Sequence, residues 1–321
     1  MNVLKLHEFN VERGSIILPQ NGSKSETNRL LVLQALWPGL EISNAAICDD
    51  SFVMTRALNR YSGTIDLGHA GSAMRFLTSY FAFLPGSQVV LTGSTRMKQR
   101  PISLLVDALR TLGAKINYLE QEGYPPLSII GTNCSGGQLE ISGKISSQYL
   151  TSLMLVATKF EDGLTIDLID KPTSFPYLKM TASILSTLGV QVSITNNQIV
   201  IRGPVMDRTL KINIESDWSG ASYWYSLIAL KPKFVLVLKY FREKSRQGDA
   251  VLVKLYEQLG VKTEFIGEGQ IRLSNSGNAL PKSIEWDLVD TPDIAQTIAV
   301  TCFGLGIECH LKGLHTLKIK E

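Results

Sequence analysis

Cysteine is scarce in this chain. Only four occur among 321 residues, Cys48, Cys134, Cys302 and Cys309, scattered without a paired framework. That excludes a disulfide scaffold and fits a reduced, cytoplasmic setting. Histidine is equally sparse: His7, His69, His310 and His315 show no metal-ligand spacing. Cys302, Cys309 and His310 lack the CxxC pair that a structural zinc site would bring. Charge is thin as well. Charged residues make up 19% and the net charge is +3, too mild for nucleic-acid binding by composition yet compatible with small anionic substrates. No apolar run reaches the roughly 18 residues of a membrane span, and the stretch from Met1 to Phe9 has no apolar core of a secretory signal. Neither a nucleophile elbow nor a Ser-His-Asp order is visible. Pro/Ser-rich linkers and low-complexity segments are also missing, so a domain boundary has to be a tight crossover.

What is present is an ordinary globular balance, with 44% hydrophobic residues. At roughly 100–200 residues per domain the length suggests two domains. One phrase recurs: Asp107 to Ile116, Ile184 to Val192 and Lys254 to Thr263 each read as the end of an amphipathic helix, Leu-Gly, then a strand. The glycines, Gly113, Gly189 and Gly260, suit the left-handed residue that ends a helix. Their near-equal spacing exceeds the roughly 20–50 residues of a solenoid repeat and suits a unit of two helices and several strands. Carried past Gly260, the spacing puts the next such glycine beyond Glu321, and Lys318 to Glu321 fall in the middle of an expected element. The sequence is therefore expected to lack the last part of a repeat.

Several stretches have chemical potential. In Leu18 to Leu33, a strand (Ser15–Leu18) leads into a glycine turn and an apolar helix expected from about Thr27. Ser23 and Ser25 can cap that helix. Lys24, Ser25 and Arg29 then crowd a helix N-terminus, where free N–H groups and the dipole favour an anion; a capped helix with surface cations is the alternative. Gly68 to Leu77 places small residues before a helix that carries Arg75 in its first turns. Thr92 to Ile102 sets Arg96, Lys98 and Arg100 between a strand and a helix, with Pro101 expected in that helix's first turn. Ser146, Ser147 and Gln148 stand at another strand-to-helix turn, with hydroxyls and an amide suited to phosphate oxygens. Asp293 precedes a very apolar helix, either as an acidic cap or as a functional carboxylate.

In order, the chain reads Gly-Ser-Lys-Ser-x-x-x-Arg (22–29), Gly-x-Ala-Gly-Ser-Ala-Met-Arg (68–75) and Arg-Met-x-Gln-Arg-Pro-Ile (96–102). Gly-Tyr-Pro-Pro-Leu (123–127), Ser-Ser-Gln-Tyr-Leu (146–150) and Ser-Phe-Pro-Tyr (174–177) follow, then Gly-Ala-Ser-Tyr (220–223), Gln-Gly-Asp (247–249), Pro-Asp (292–293) and Lys-Glu (320–321). Over essentially the whole chain this series resembles the EPSP synthase family, the 3-phosphoshikimate 1-carboxyvinyltransferases. His69 stands where that family usually has Asn, and Ser72 where it has Thr.

The resemblance implies an α/β fold of two domains built from repeated βαβαββ units, the last repeat missing here. Residues 1–19 and 216–321 would form one domain and 20–215 the other, with ligands in the cleft between them. It implies transfer of the enolpyruvyl group of phosphoenolpyruvate to the 5-hydroxyl of shikimate-3-phosphate, with release of phosphate. That is a step of the shikimate pathway toward chorismate and the aromatic amino acids. It further implies a cytoplasmic, monomeric enzyme that needs no metal or organic cofactor and engages neither nucleic acid nor membrane. Carried over by motif, Lys24, Ser25, Arg29, Ser146, Ser147, Gln148, Ser174, Tyr177, Asp293 and Lys320 would hold shikimate-3-phosphate. Lys24, Gly71, Arg100 and Gln148 would hold phosphoenolpyruvate. Asp293 would accept a proton and Glu321 donate one, with Lys24 assisting. Two alternatives stay open at this point: a non-catalytic anion-binding protein or inactive fragment, and the related transferase acting on UDP-N-acetylglucosamine.

Overall fold

The computed structural model describes residues 14–18, 20–143, 146–172, 174–203, 209–314 and 317. The chain opens with β1 (Gly14–Leu18), α1 (Lys24–Leu36), β2 (Leu40–Ser43) and α2 (Asp49–Leu58). Next come β3 (Ser62–Asp66), α3 (Gly71–Ala82), β4 (Gln88–Thr92), the one-turn α4 (Thr95–Lys98), α5 (Ser103–Thr111), β5 (Lys115–Tyr118) and β6 (Leu127–Ile130). The order continues with β7 (Gly137–Ile141), α6 (Ser147–Val156), β8 (Leu164–Leu168), α7 (Phe175–Thr187), β9 (Gln191–Ile194), β10 (Gln198–Arg202) and β11 (Leu210–Asn213). It ends with α8 (Trp218–Leu230), β12 (Phe234–Lys239), α9 (Leu252–Gln258), β13 (Val261–Phe265), β14 (Gln270–Asn275), β15 (Ser283–Asp287), α10 (Ala295–Leu305) and β16 (Glu308–Lys312).

Three four-stranded sheets share one plan. Their strand orders are β3-β4-β6-β5, β7-β8-β10-β9 and β1-β12-β14-β13. In each, the first two strands are parallel and the other two pairings are antiparallel. A parallel pair needs a crossover, which a helix supplies, whereas an antiparallel pair can follow from a short turn. The repeated unit is therefore βαβαββ. Gly113, Gly189 and Gly260 occupy the same place in all three, between the second helix and the third strand, at φ of 91°, 86° and 82°. In the first two, the residue after the glycine donates back to the helix, Ala114 N to Leu109 O at 3.0 Å and Val190 N to Leu185 O at 3.1 Å. That is the closure of a Schellman motif.

The chain divides into two units. One comprises the described residues of 1–20, Trp218–Ser245 and Asp249–Glu321; the other comprises Asn21–Asp217 and Arg246–Gly248. The sequence expectation set the crossovers at 19/20 and 215/216, whereas the units change over at 20/21 and 217/218, and residues 246–248 group with the second unit. The second unit is thus inserted after β1, the first strand of a sheet whose other strands come after it.

Within the second unit, every residue of α3 except Ser72 and every residue of α6 except Gln148 is buried. Helices buried on all sides must be apolar throughout or satisfy their polar groups internally. Here Ser79 Oγ donates to Ser152 Oγ across the α3–α6 contact at 2.9 Å. Leu77, Phe81, Leu150, Leu153 and Met154 are each 0% exposed, and fully burying a side chain of this size stabilises the fold by about 1.5–3 kcal/mol. The first unit closes around aromatic rings, with Trp218 edge-on to Phe241 at 4.7 Å and Tyr225 to Tyr256 at 5.3 Å. Among the described residues no helix is long and apolar enough to cross a membrane.

Candidate functional site

Four helices of the second unit, α1, α3, α6 and α7, begin with motif residues. Helix α1 starts at Lys24, three residues earlier than the sequence pattern suggests. Ser23 is its cap: the hydroxyl accepts from Glu26 N at 3.4 Å and the carbonyl from Thr27 N at 2.9 Å. Ser25 lies inside the helix and does not cap it. Lys24 N donates to Asp217 Oδ2 at 3.0 Å, so a carboxylate of the same unit already meets this N-terminus. The Lys24 side chain is exposed.

Arg29 points inward and is 4% exposed. It donates through Nε to Thr181 Oγ1 at 2.8 Å, through Nη1 to Ser25 O at 2.7 Å, and through Nη2 to Thr151 Oγ1 and Tyr177 O at 3.3 and 3.4 Å. Phe76 and Tyr177 lie at 5.6 and 5.8 Å from its Cζ. Burial lowers its pKa to about 10, an effect that Tyr177 and Glu26 partly offset. One planar fork thus ties α1 to α6 and α7.

Helix α3 begins at Gly71 after Ala70, a cap residue that makes no side-chain bond to the first turn. The preceding loop is held by Leu67 N to Thr92 O, by Ser94 N to Gly68 O, and by a 3.0 Å hydrogen bond between His69 Nδ1 and Ser94 Oγ. Over Gly71 lies the guanidinium of Arg100: a Cβ built on Gly71 would stand 2.5 Å from Nη1 and 3.0 Å from Cζ and Nη2. Only glycine permits that approach. Arg100 is half-buried, and its side chain makes no hydrogen bond or ion pair among the described residues. Burial lowers its pKa; Tyr149 and Asp50 oppose the shift and Arg96 adds to it.

The loop carrying Arg100 differs in detail from expectation. It contains the short helix α4, capped by Ser94, and Pro101 precedes Ile102, the cap of α5, rather than sitting in the first turn. Ile102 N donates to Gly123 O at 2.9 Å, so the Gly-Tyr-Pro-Pro stretch anchors this loop.

At α6, Ser146 caps by accepting from Gln148 N at 3.3 Å, while Ser147 is buried. Gln148 Nε2 donates to Ser72 Oγ at 3.3 Å. The two residues that interrupt the burial of α3 and α6 therefore meet, and they join Gly71 and Arg100 to the start of α6. At α7, Ser174 is left-handed at φ 51° and 8% exposed, with no side-chain cap bond; non-glycine residues hold that conformation only where the surroundings enforce it. Tyr177 follows one turn on, its carbonyl also accepting from Thr181 Oγ1 at 2.8 Å.

In the first unit, Asp293 is exposed within a 3-10 turn, Pro292–Ile294. Ile294, not Asp293, is the cap of α10, so Asp293 is not that helix's N-cap. The Gln-Gly-Asp motif splits between the units. Gln247 donates to Ser216 O at 2.8 Å in the second, and the buried Asp249 accepts from Ser219 Oγ at 2.5 Å in the first. Lys320 and Glu321 lie outside the described residues. Among the described residues no group of His, Cys, Asp or Glu could hold a metal ion.

Sequence reasoning marked Arg75 only as a cation in the first turns of a helix at a possible anion pocket, with no role of its own, and left Tyr149, Thr151 and Thr181 out of the site, although Arg75 and Tyr149 fall inside quoted motifs. Arg75 is 4% exposed; its Nη1 donates to Gly71 O at 3.3 Å and its Nη2 to Pro101 O at 3.3 Å. Burial lowers its pKa, Tyr149 opposes this and Arg100 adds to it. The arrangement presents Arg100, the uncapped start of α3 and the Gln148 amide around one point, a set suited to an anion bearing several oxygens.

The family model described as EPSP synthase (3-phosphoshikimate 1-carboxyvinyltransferase) matches residues 58–321. A 3-phosphoshikimate 1-carboxyvinyltransferase from Bacteroides fragilis is 41% identical over 310 residues, covering 96% of this chain and 74% of that protein. One from Sulfurovum sp. is 35% identical over 350 residues, covering 100% and 80%. The solved EPSP synthase from Acinetobacter baumannii superposes with a TM-score of 0.70 at 18% identity, over 90% of this chain and 71% of that one, and so shares the fold. By family match, by identity and by fold, this chain belongs to the EPSP synthase family.

Proposed function

We propose that this chain transfers the enolpyruvyl group of phosphoenolpyruvate to the 5-hydroxyl of shikimate-3-phosphate, releasing phosphate, as a monomeric cytoplasmic transferase of aromatic amino acid biosynthesis. The observation that supports it most is the Arg100 guanidinium, held over Gly71 at the start of α3 without a hydrogen-bond acceptor or ion-pair partner among the described residues. Each substrate carries a phosphate of about −1.5 to −2 and a carboxylate. Like charges of that size come together only where cations and N–H dipoles offset their repulsion.

In this reading Arg100, Gly71, Gln148 and Lys24 hold phosphoenolpyruvate. Lys24, Ser25, Arg29, Ser146, Ser147, Gln148, Ser174, Tyr177, Asp293 and Lys320 hold shikimate-3-phosphate, Arg29 chiefly by fixing α1 against α6 and α7. The 5-hydroxyl oxygen bonds to C2 of phosphoenolpyruvate while Asp293 takes the hydroxyl proton, and Glu321 supplies a proton to the methylene carbon. The resulting tetrahedral adduct then loses phosphate from C2 and a proton from the methyl group, restoring the double bond.

The test is Arg100→Lys, which keeps the charge and removes the bidentate fork. Calorimetry is expected to show phosphoenolpyruvate affinity falling at least tenfold while shikimate-3-phosphate affinity holds. Equal phosphoenolpyruvate affinity in both proteins would overturn the assignment.

A further inference from the structure

We infer that Arg75 and Tyr149 are positioning residues that set Arg100 in place through one shared acceptor, the carbonyl oxygen of Pro101. The inference rests on the reading of Arg100 given above. Pro101 directly follows Arg100, so its carbonyl fixes the backbone on which the Arg100 side chain swings. Two helices reach that oxygen: Tyr149 Oη, from α6, donates at 2.6 Å, and Arg75 Nη2, from α3, at 3.3 Å. Arg75 also grips the loop ahead of Arg100, with Nη1 at 3.6 Å from Met97 Sδ, while Met97 O accepts from Arg100 N at 3.0 Å. The same Nη1 donates to Gly71 O, the carbonyl of the residue that the Arg100 guanidinium covers. One buried fork therefore references the floor of the anion site and the loop above it to each other.

Burial makes this role specific. Arg75 is 4% exposed and Tyr149 7% exposed, so both act from beneath the site. Among the described residues Arg75 forms no ion pair, and a lone buried cation is costly. An apolar side chain would avoid that cost but could not span two carbonyls in fixed geometry, which the planar guanidinium does. Lysine, a single point donor, cannot reproduce the span.

The test uses the full chain with Tyr149→Phe, Arg75→Lys and Arg75→Met, measuring the Kd of each substrate, turnover and melting temperature. Tyr149→Phe keeps the ring in the core and removes one hydrogen bond. Phosphoenolpyruvate affinity is expected to fall roughly 5- to 20-fold, with shikimate-3-phosphate affinity within about twofold and kcat changed less than KM for phosphoenolpyruvate. Affinity for phosphoenolpyruvate should order wild type above Arg75→Lys above Arg75→Met. Should Arg75→Met fail to fold, Tyr149→Phe and Arg75→Lys still decide. Unchanged phosphoenolpyruvate affinity in Tyr149→Phe, or an equal loss for both substrates, overturns the inference. Arg100→Lys separates the two levels. If it weakens phosphoenolpyruvate binding while Tyr149→Phe does not, only the positioning role fails; if it has no effect, the reading of Arg100 falls and the positioning role with it.

Discussion

The guanidinium of Arg100 fills the space that any side chain at Gly71 would need, 2.5 Å from the place of its Cβ. Glycine at this position is therefore a condition on where Arg100 can stand, not on how α3 folds. Alanine is the better helix former, so the helix itself would accept the substitution.

Gly71→Ala should push the guanidinium outward by about 1 Å. A displacement of that size commonly costs on the order of 100-fold in a well-oriented site. Phosphoenolpyruvate affinity is expected to fall about 10- to 100-fold with the melting temperature steady. Titration calorimetry beside a thermal melt checks both, and a variant with normal affinity would show that Arg100 does not act from this position.

Asp293 tests the chemistry. Asn keeps its size, and Ile294 rather than Asp293 caps α10, so the helix should not register the change. Turnover of Asp293→Asn should drop roughly 100- to 10,000-fold, the usual worth of a positioned base, with substrate affinities moving far less. Near-normal phosphate release at unchanged stability would remove Asp293 from the mechanism.

Arg29 predicts a signature in alkali. Burial lowers its folded pKa to about 10, while the unfolded chain keeps the higher ordinary value. Above pH 10 the folded state releases this proton before the unfolded state does, so the Arg29 contribution to unfolding free energy rises with pH there and is lost as pH falls through about 10. Urea unfolding of Arg29→Met, compared with wild type between pH 9 and 11, should show that rise missing. At neutral pH Arg29→Lys should cost about 1–3 kcal/mol, since one ammonium cannot serve four acceptors on three helices. Parallel pH curves for wild type and Arg29→Met would refute the shift.

The repeat was legible because its signal is local. Gly113, Gly189 and Gly260 each follow Leu at a helix end, and positive φ demands glycine wherever the unit recurs. Lys24 and Arg100 were legible as cations at helix starts. Arg75 was legible as a cation in the first turns of a helix but not as a buried fork, because its partners, Pro101 O and Met97 Sδ, and the covering α6 are distant in sequence. The start of α1 was misplaced for a related reason. Lys24, Ser25 and Glu26 read as polar loop, yet the Ser23 cap and the Asp217 carboxylate, contributed from nearly 200 residues away, make them the first turn. Ser146 and Ser147 looked alike in sequence, and only the fold assigns one to capping and the other to the interior.

The insertion after β1 bears on how the chain can fold. Pairing β1 with β12 closes a loop of about 200 residues, and such non-local closure slows folding. The inserted unit offsets the delay, because its two ends are stitched together: Gly22 bridges Ser216, Ser23 N donates to Glu215 O at 2.8 Å, and Asp217 N donates to Asn21 O at 3.0 Å. Once that unit has formed, β1 and α8 emerge from neighbouring points, and the remaining closure between β1 and β12 spans only about 20 residues, most of them α8. By the logarithmic dependence of closure entropy on length, the difference is worth about 2 kcal/mol. The topology thus makes the sheet begun by β1 entropically less costly to close after the inserted unit has formed than before it.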